Sequence, residues 1–195
     1  MTKIIERGMI FNGEMVRAIL DGRKTQTRRV IKDCTVGRDQ ISKFIQIGKK
    51  FIGCYPEDVP ELIRECCPYG VPGDRIWVRE TFCSVPHHEE PAGCSALLYA
   101  ADGNGPYGKW TPSIHMPRWA SRILLEITDV RVERLNDISE EDARSEGISG
   151  SSARDIKEAY AALWRSIYGS DSWQANPWVW VIVFKRIEGD DHATD

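Results

Sequence analysis

The chain has 195 residues and a formal net charge of −3, from 26 Lys and Arg against 29 Asp and Glu. That length allows one sizeable domain with its own core, and 42% hydrophobic with 28% charged residues excludes a disordered or fibrous chain. The slightly acidic balance excludes a global positive field toward nucleic acid or membrane. No apolar run approaches the roughly 20 residues of a membrane span, so no membrane partner is expected, and the absence of an apolar leader points to the cytoplasm.

The first expected strand is Ile4 to Phe11. Asn12 then caps a helix over Gly13 to Asp21 whose stripe is Met15, Val16, Ile19 and Leu20, and Gly22 stops it. Lys24 to Ile31 alternates and reads as a strand. The stretch 33–72 is the least regular: Lys43 to Cys54 reads as a hairpin and Pro56 to Cys67 as a short helix. Arg75 to Phe82 reads as a buried strand and Leu97 to Ala100 as a short one. Arg122 to Leu135 alternates throughout, a long strand bent near Asp129. Ser139 and Ser152 each open a helix, with an acid three residues on, and Gly147 and Gly169 close them. Trp178 to Ile187 is apolar on both faces, a central strand. Strands outnumber helices without regular alternation, which predicts an α+β domain on a small, mostly antiparallel β-barrel with flanking helices. It forms a single unit over 1–188 with a polar tail at 189–195.

Six cysteines, Cys34, Cys54, Cys66, Cys67, Cys83 and Cys94, read as reduced thiols in a cytosolic chain. Cys83, His87, His88 and Cys94 offer S and N ligands, but no Cys-x-x-Cys knuckle accompanies them, so no metal is expected. Gly103-x-Gly105-x-x-Gly108 copies the dinucleotide fingerprint without its context, since Pro106 interrupts it and no helix pattern follows.

Between Arg23 and Lys32 lie Arg23, Lys24, Arg28, Arg29 and Lys32, either a patch for phosphate or RNA backbone or a solvated strand. Within it Lys24 precedes Thr27 by three residues. On an ideal strand the two face opposite ways, but in a turn after the Gly22 stop the Lys24 amine can swing toward the threonine. Burial lowers its preference for charge, as a base toward a hydroxyl requires. Glu146, at the C-terminal end of a helix, meets a dipole that disfavours its charge, as suits a general acid; alternatively it is a surface glutamate relieved by Arg144. Trp77, Trp110, Trp119, Trp178 and Trp180 are either core or base-stacking aromatics. His115 and Arg118 sit in a loop able to line a pocket.

Leu20 to Arg28 with its Gly-Arg-Lys-Thr-x-Thr core, Gly73 to Val78, Ser139 to Ile148 and Trp180 to Lys185 together resemble the ASCH-domain family in order. The whole chain also resembles the longer ASCH proteins of phages and prophages, at Tyr69 to Asp74 and Ser113 to Trp119. The resemblance implies a PUA-like barrel and a link to RNA. One branch, the bacterial N4-acetylcytidine amidohydrolase, matches about half of the chain, so 33–72 and 83–118 read as insertions. That branch implies Lys24, Thr27 and Glu146 as catalytic residues and no cofactor.

The resulting expectation is an amidohydrolase acting on an N4-acylated cytosine nucleoside or base. Thr27 attacks, Lys24 accepts its proton, Glu146 protonates the amine, and Arg28 or Arg79 steadies the oxyanion or binds the sugar side. Arg23, Trp77, Glu80, His115, Arg118 and Trp119 complete the expected substrate-binding set, with Glu80 holding Lys24 or an arginine. The geometry expected is Lys24 in hydrogen-bond reach of Thr27, with the strand after Gly22 beside Arg75 to Phe82. The alternatives are a module that binds RNA or a modified nucleobase without chemistry, and a ribonuclease using His115.

Overall fold

The structure, a computed structural model, describes residues 3–32, 34–36, 44–47, 50–53, 66–85, 97–103, 105, 108–150 and 152–187. The expected α+β character holds. Ten strands occur among them: β1 (Glu6–Ile10), β2 (Gln26–Val30), β3 (Cys34–Val36), β4 (Phe44–Ile47), β5 (Lys50–Gly53), β6 (Arg75–Arg79), β7 (Phe82–Ser84), β8 (Leu97–Tyr99), β9 (Leu124–Arg134) and β10 (Trp178–Arg186). The helices are α1 (Gly13–Leu20), α2 (Glu140–Ser145) and α3 (Ala153–Tyr168). The hairpin read at Lys43 to Cys54 is β4 with β5, joined by β3 in a small sheet. The helix read at Pro56 to Cys67 lies almost wholly outside the described residues, as do His87, His88 and Cys94.

A five-stranded sheet in the order β1-β6-β9-β10-β2 organises the rest. Only β1 and β6 run parallel within it. Strand β10 explains its own apolar run, because alternate side chains of a strand face opposite ways. Trp180, Ile182 and Phe184 enter a core shared with Val16 and Ile19 of α1. Val179 and Val181 enter a second core with Ile156, Tyr160 and Trp164 of α3. Each such fully buried side chain contributes about 1.5–3 kcal/mol. The bend expected near Asp129 is a bulge: Val183 pairs with Asp129 but Phe184 with Ile127, leaving Thr128 unpaired.

The helix signals work as read. The Asn12 Oδ1 accepts the Met15 amide at 2.8 Å, and the Ser139 and Ser152 hydroxyls accept the Asp142 and Asp155 amides.

Two expectations are corrected. The strand Arg75 to Phe82 divides at Glu80, and β7 leaves the main sheet to pair with β8. The strand after Gly22 is not beside it, since β9 and β10 separate β2 from β6. Among the described residues no ladder closes the sheet into a barrel, and β1 and β2 are its edges. In a flat sheet those edges would lie about 19 Å apart, beyond any side chain. Yet the Arg29 Nη2 donates to the Ile10 carbonyl at 2.7 Å, and its guanidinium lies 5.4 Å from the Phe11 ring centre. The sheet therefore curls until its edges face each other, and a side chain spans the seam.

Gly8 on β1 shows how tightly the first two strands pack. A Cβ there would lie 2.6 Å from the Trp77 Cζ2 and 2.9 Å from the Arg79 Cδ. Gly8→Ala is expected to cost about 1–3 kcal/mol of stability by overpacking, measured by urea unfolding, and Trp77→Leu in the same chain should recover part of that loss.

Candidate functional site

Lys24 is not in a strand. It follows the turn at Gly22 (φ 73°) and forms an isolated bridge with Glu146 at the end of α2. The adjoining Thr25 amide donates to the Ser145 carbonyl at 2.8 Å. Gly147 makes this approach possible. Its φ is +92°, and a Cβ there would meet the Ala18 Cβ at 2.9 Å and the Lys24 Cβ at 3.2 Å.

The Lys24 side chain is sealed from water. Its amine donates to Glu146 Oε2 at 2.7 Å, to the Gln26 carbonyl at 2.7 Å and to the Glu146 carbonyl at 3.1 Å. An ammonium has three protons to give, so none of them is available for Thr27. The expected Lys24–Thr27 hydrogen bond is therefore absent. Burial pulls the Lys24 amine below its usual range, opposed by the Glu146 charge.

Glu146 reaches Lys24 through one oxygen and Arg28 through the other, with Arg28 Nη1 at 3.3 Å from Oε1. The sequence argument considered only the helix end, whereas two cations hold this carboxylate. Arg28, also sealed, pairs with Glu133 at 3.0 Å and Asp142 at 3.3 Å. Arg131 joins Glu133 and Asp142. Burial works to raise the Asp142 carboxyl, but the Ser139 hydroxyl and then Arg28 outweigh it, so Asp142 is held low.

The register explains who can meet whom. Arg28 and Arg131 flank Val181 in one row on the α2 side of the sheet, whereas Thr27 pairs with Ile182 and Arg29 with Trp180, on the α1 side. Arg28 holds Glu146 and lines the same cavity as Thr27, and Arg29 is the cation on Thr27's face of the sheet. The Thr27 hydroxyl makes no hydrogen bond among the described residues. Thr27 lines a cavity of about 20 Å³, walled also by Arg28, Arg29, Glu146, Tyr160 and Trp164, with room for one water. Burial, then the Glu146 charge, push the Tyr160 phenol well above its usual value.

The remaining expected residues lie apart from this pair, and none has a hydrogen bond or ion pair to Lys24, Thr27 or Glu146. Arg23 is exposed, held by Asp21 at 2.8 Å and the Gly147 carbonyl at 3.1 Å. Glu80 grips Arg122, at 3.0 and 3.1 Å, instead of Lys24, and burial pushes its carboxyl up against the pull of Arg122. Arg79 donates to the Ile114 carbonyl and lies 5.4 Å from the Trp77 ring centre. Arg118 pairs with Glu6 at 2.9 Å, while His115 is exposed and Trp119 is 64% exposed. The basic decapeptide is no single basic face, because Lys24 and Arg28 are internal. No group of three metal-ligating side chains occurs among the described residues.

The sequence reading places Arg29 only in the basic patch and passes over Arg131 and Glu133. The Arg131-x-Glu133 spacing, which puts opposite charges on one face of a strand, was the available signal.

No family model matches the chain, and no curated protein does. Among solved structures, protein EF3133 from Enterococcus faecalis V583, of the DUF984 family model, is similar at 11% identity and a TM-score of 0.45, over 100% of this chain and 88% of that one.

The Lys24–Glu146 pair sets a pH-dependent expectation. Glu146→Gln leaves a buried cation without its nearest counter-ion, a loss of about 3–5 kcal/mol near neutral pH. With the opposing Glu146 charge gone, Lys24 falls further below 10.5, so from that lowered value up to 10.5 the unfolded chain binds more protons and stability rises with pH. The deficit against wild type should narrow from pH 7 toward pH 10 in urea unfolding. A constant deficit would show that the Lys24 charge is not its source.

Proposed function

We propose that this site hydrolyses the amide of an N4-acylated cytosine nucleoside or base, in the cytosol, on a PUA-like barrel of the ASCH type. The observation that carries the reading is the meeting of Lys24, Thr27 and Glu146 at one buried place, drawn from segments more than 100 residues apart. The curl that lets Arg29 span the sheet edges supports the barrel.

The 2.7 Å contact between Lys24 Nζ and Glu146 Oε2 supplies both catalytic forms with one proton. Its transfer to the carboxylate leaves a neutral amine and a neutral acid, and burial favours that uncharged pair. The amine then exchanges the Gln26 carbonyl for the Thr27 hydroxyl and takes its proton as the oxygen bonds to the amide carbon. Arg29 stands on the same face for the developing oxyanion. Glu146 gives its proton to the amide nitrogen as the C–N bond breaks, so the amine leaves neutral and the acyl group remains as an ester on Thr27. Water attacks this ester and yields its proton to Glu146, while Lys24 returns a proton to Thr27. The carboxylic acid departs.

One observation favours a second reading, a module that binds a modified nucleobase without chemistry: the Lys24 amine is fully occupied away from Thr27.

N4-acetylcytidine separates them. Wild type should release cytidine and acetate, and Thr27→Val and Lys24→Met should each lower kcat by at least about 100-fold with folding confirmed by circular dichroism. Arg23→Ala should keep most of the activity. Wild-type rates in Lys24→Met would end the hydrolase reading, and binding without turnover by wild type would select the second.

A further inference from the structure

Two small chambers flank Glu146. The inner one, about 20 Å³, has Thr27 in its wall. The outer one, about 60 Å³, lies toward α1 and is lined by Asn12, Glu14 and Gly147 among others. Glu146, Met15 and Leu163 belong to both. Met15 comes from α1 and Leu163 from α3, so two apolar side chains on facing helices form a septum between the chambers.

This arrangement orients an amide, on the hydrolase reading above. The nucleophile opens only into the inner chamber and the general acid into both, so the scissile bond spans the septum at Glu146. The acyl carbon faces Thr27 inside and the departing amine lies on the outer side. Tyr160, Leu163, Trp164 and Ile167 line the inner chamber beside Arg28 and Arg29 and offer an acyl chain apolar contact, whereas Asn12 and Glu14, beside Ala18 and Ile148 in the outer one, offer a heterocycle polar partners. The inner room is methyl-sized.

We infer that Leu163 and Met15 are the specificity-determining residues of this site, and that it takes amides of short acyl groups with the acyl chain inward. Met15 is the adaptable half of the septum, because its unbranched thioether has three rotatable bonds. Leu163 is the fixed half.

The test uses the full chain with N4-acetyl-, N4-propanoyl-, N4-butanoyl- and N4-benzoylcytidine, followed by calorimetric binding and by cytidine release. Wild type should lose about tenfold in affinity and in kcat/KM for each added methylene. Leu163→Ala should abolish most of that penalty for the propanoyl and butanoyl compounds, and Met15→Ala should reduce it less. Leu163→Val, which leaves the helix packing nearly intact, should fall between. Equal length ratios in wild type and all variants would overturn the septum. Ordered binding without cytidine release would leave the septum standing and end the hydrolase reading, whereas release with no length ordering would do the reverse. No binding by any of the proteins would overturn both.

Discussion

The structure turns on one buried ion pair. Lys24 and Glu146 meet at 2.7 Å with 0% and 4% of their side chains exposed, and removing either would leave a buried charge short of its nearest counter-ion, at a large cost in stability. Once Lys24 is buried, the end of α2 has to lie against β2, and the chain after Glu146 has to pass between Ala18 and Lys24. Only Gly147 leaves room for that passage. The pair also protects the sheet. β2 is an edge strand, a liability when its amides and carbonyls are open, and the bridge at Lys24 with the Thr25–Ser145 hydrogen bond covers its start. From Glu146 the charges alternate outward through Arg28 to Glu133 and Asp142, and on to Arg131, so each sealed charge faces an opposite one.

The satisfaction that stabilises this cluster also restrains its chemistry. On the hydrolase reading, a base with all three protons donated and a nucleophile beside a water-sized space form a resting arrangement, not a reactive one. On that reading, reaction requires the α1–α3 seam to part. The residues at its rim are the less buried ones, with Ile167 and Tyr168 45% and 40% exposed, while Trp164 and Tyr160 behind them are anchored in the core. The side chains that would have to move are therefore those at the C-terminal half of α3, away from the packing on β10.

Legibility in the sequence followed the range of the interactions. Caps, glycine stops and the double-faced β10 rest on neighbours within a few residues or on composition, and they were readable. The break at Glu80 was not, because a carboxylate inside an apolar run makes sense only when Arg122, 42 positions later, receives it. Spacing and resemblance point to Lys24, Thr27 and Glu146, but the direction of the Lys24 amine depends on which acceptors the fold offers. The basic decapeptide misled for the same reason. Its charges were counted without Glu133, Asp142 and Glu146, which arrive from more than 100 residues away and take two of its cations inside.

The position of β2 at the edge accounts for the division of labour between its adjacent residues. In the middle of a sheet, a strand's two faces are separated by the neighbouring strands, and no single side chain can serve both. At an edge, a group arriving from the side can. Glu146 does so: it holds Arg28 on the α2 face and lines the cavity of Thr27, whose face is that of α1. A charge network built for stability on one side is thereby connected, through one carboxylate, to the buried Thr27 on the other. The two carboxylate oxygens keep separate partners, Oε1 on Arg28 and Oε2 on Lys24, so on the hydrolase reading the proton can move at one oxygen while the other stays fixed to the fold.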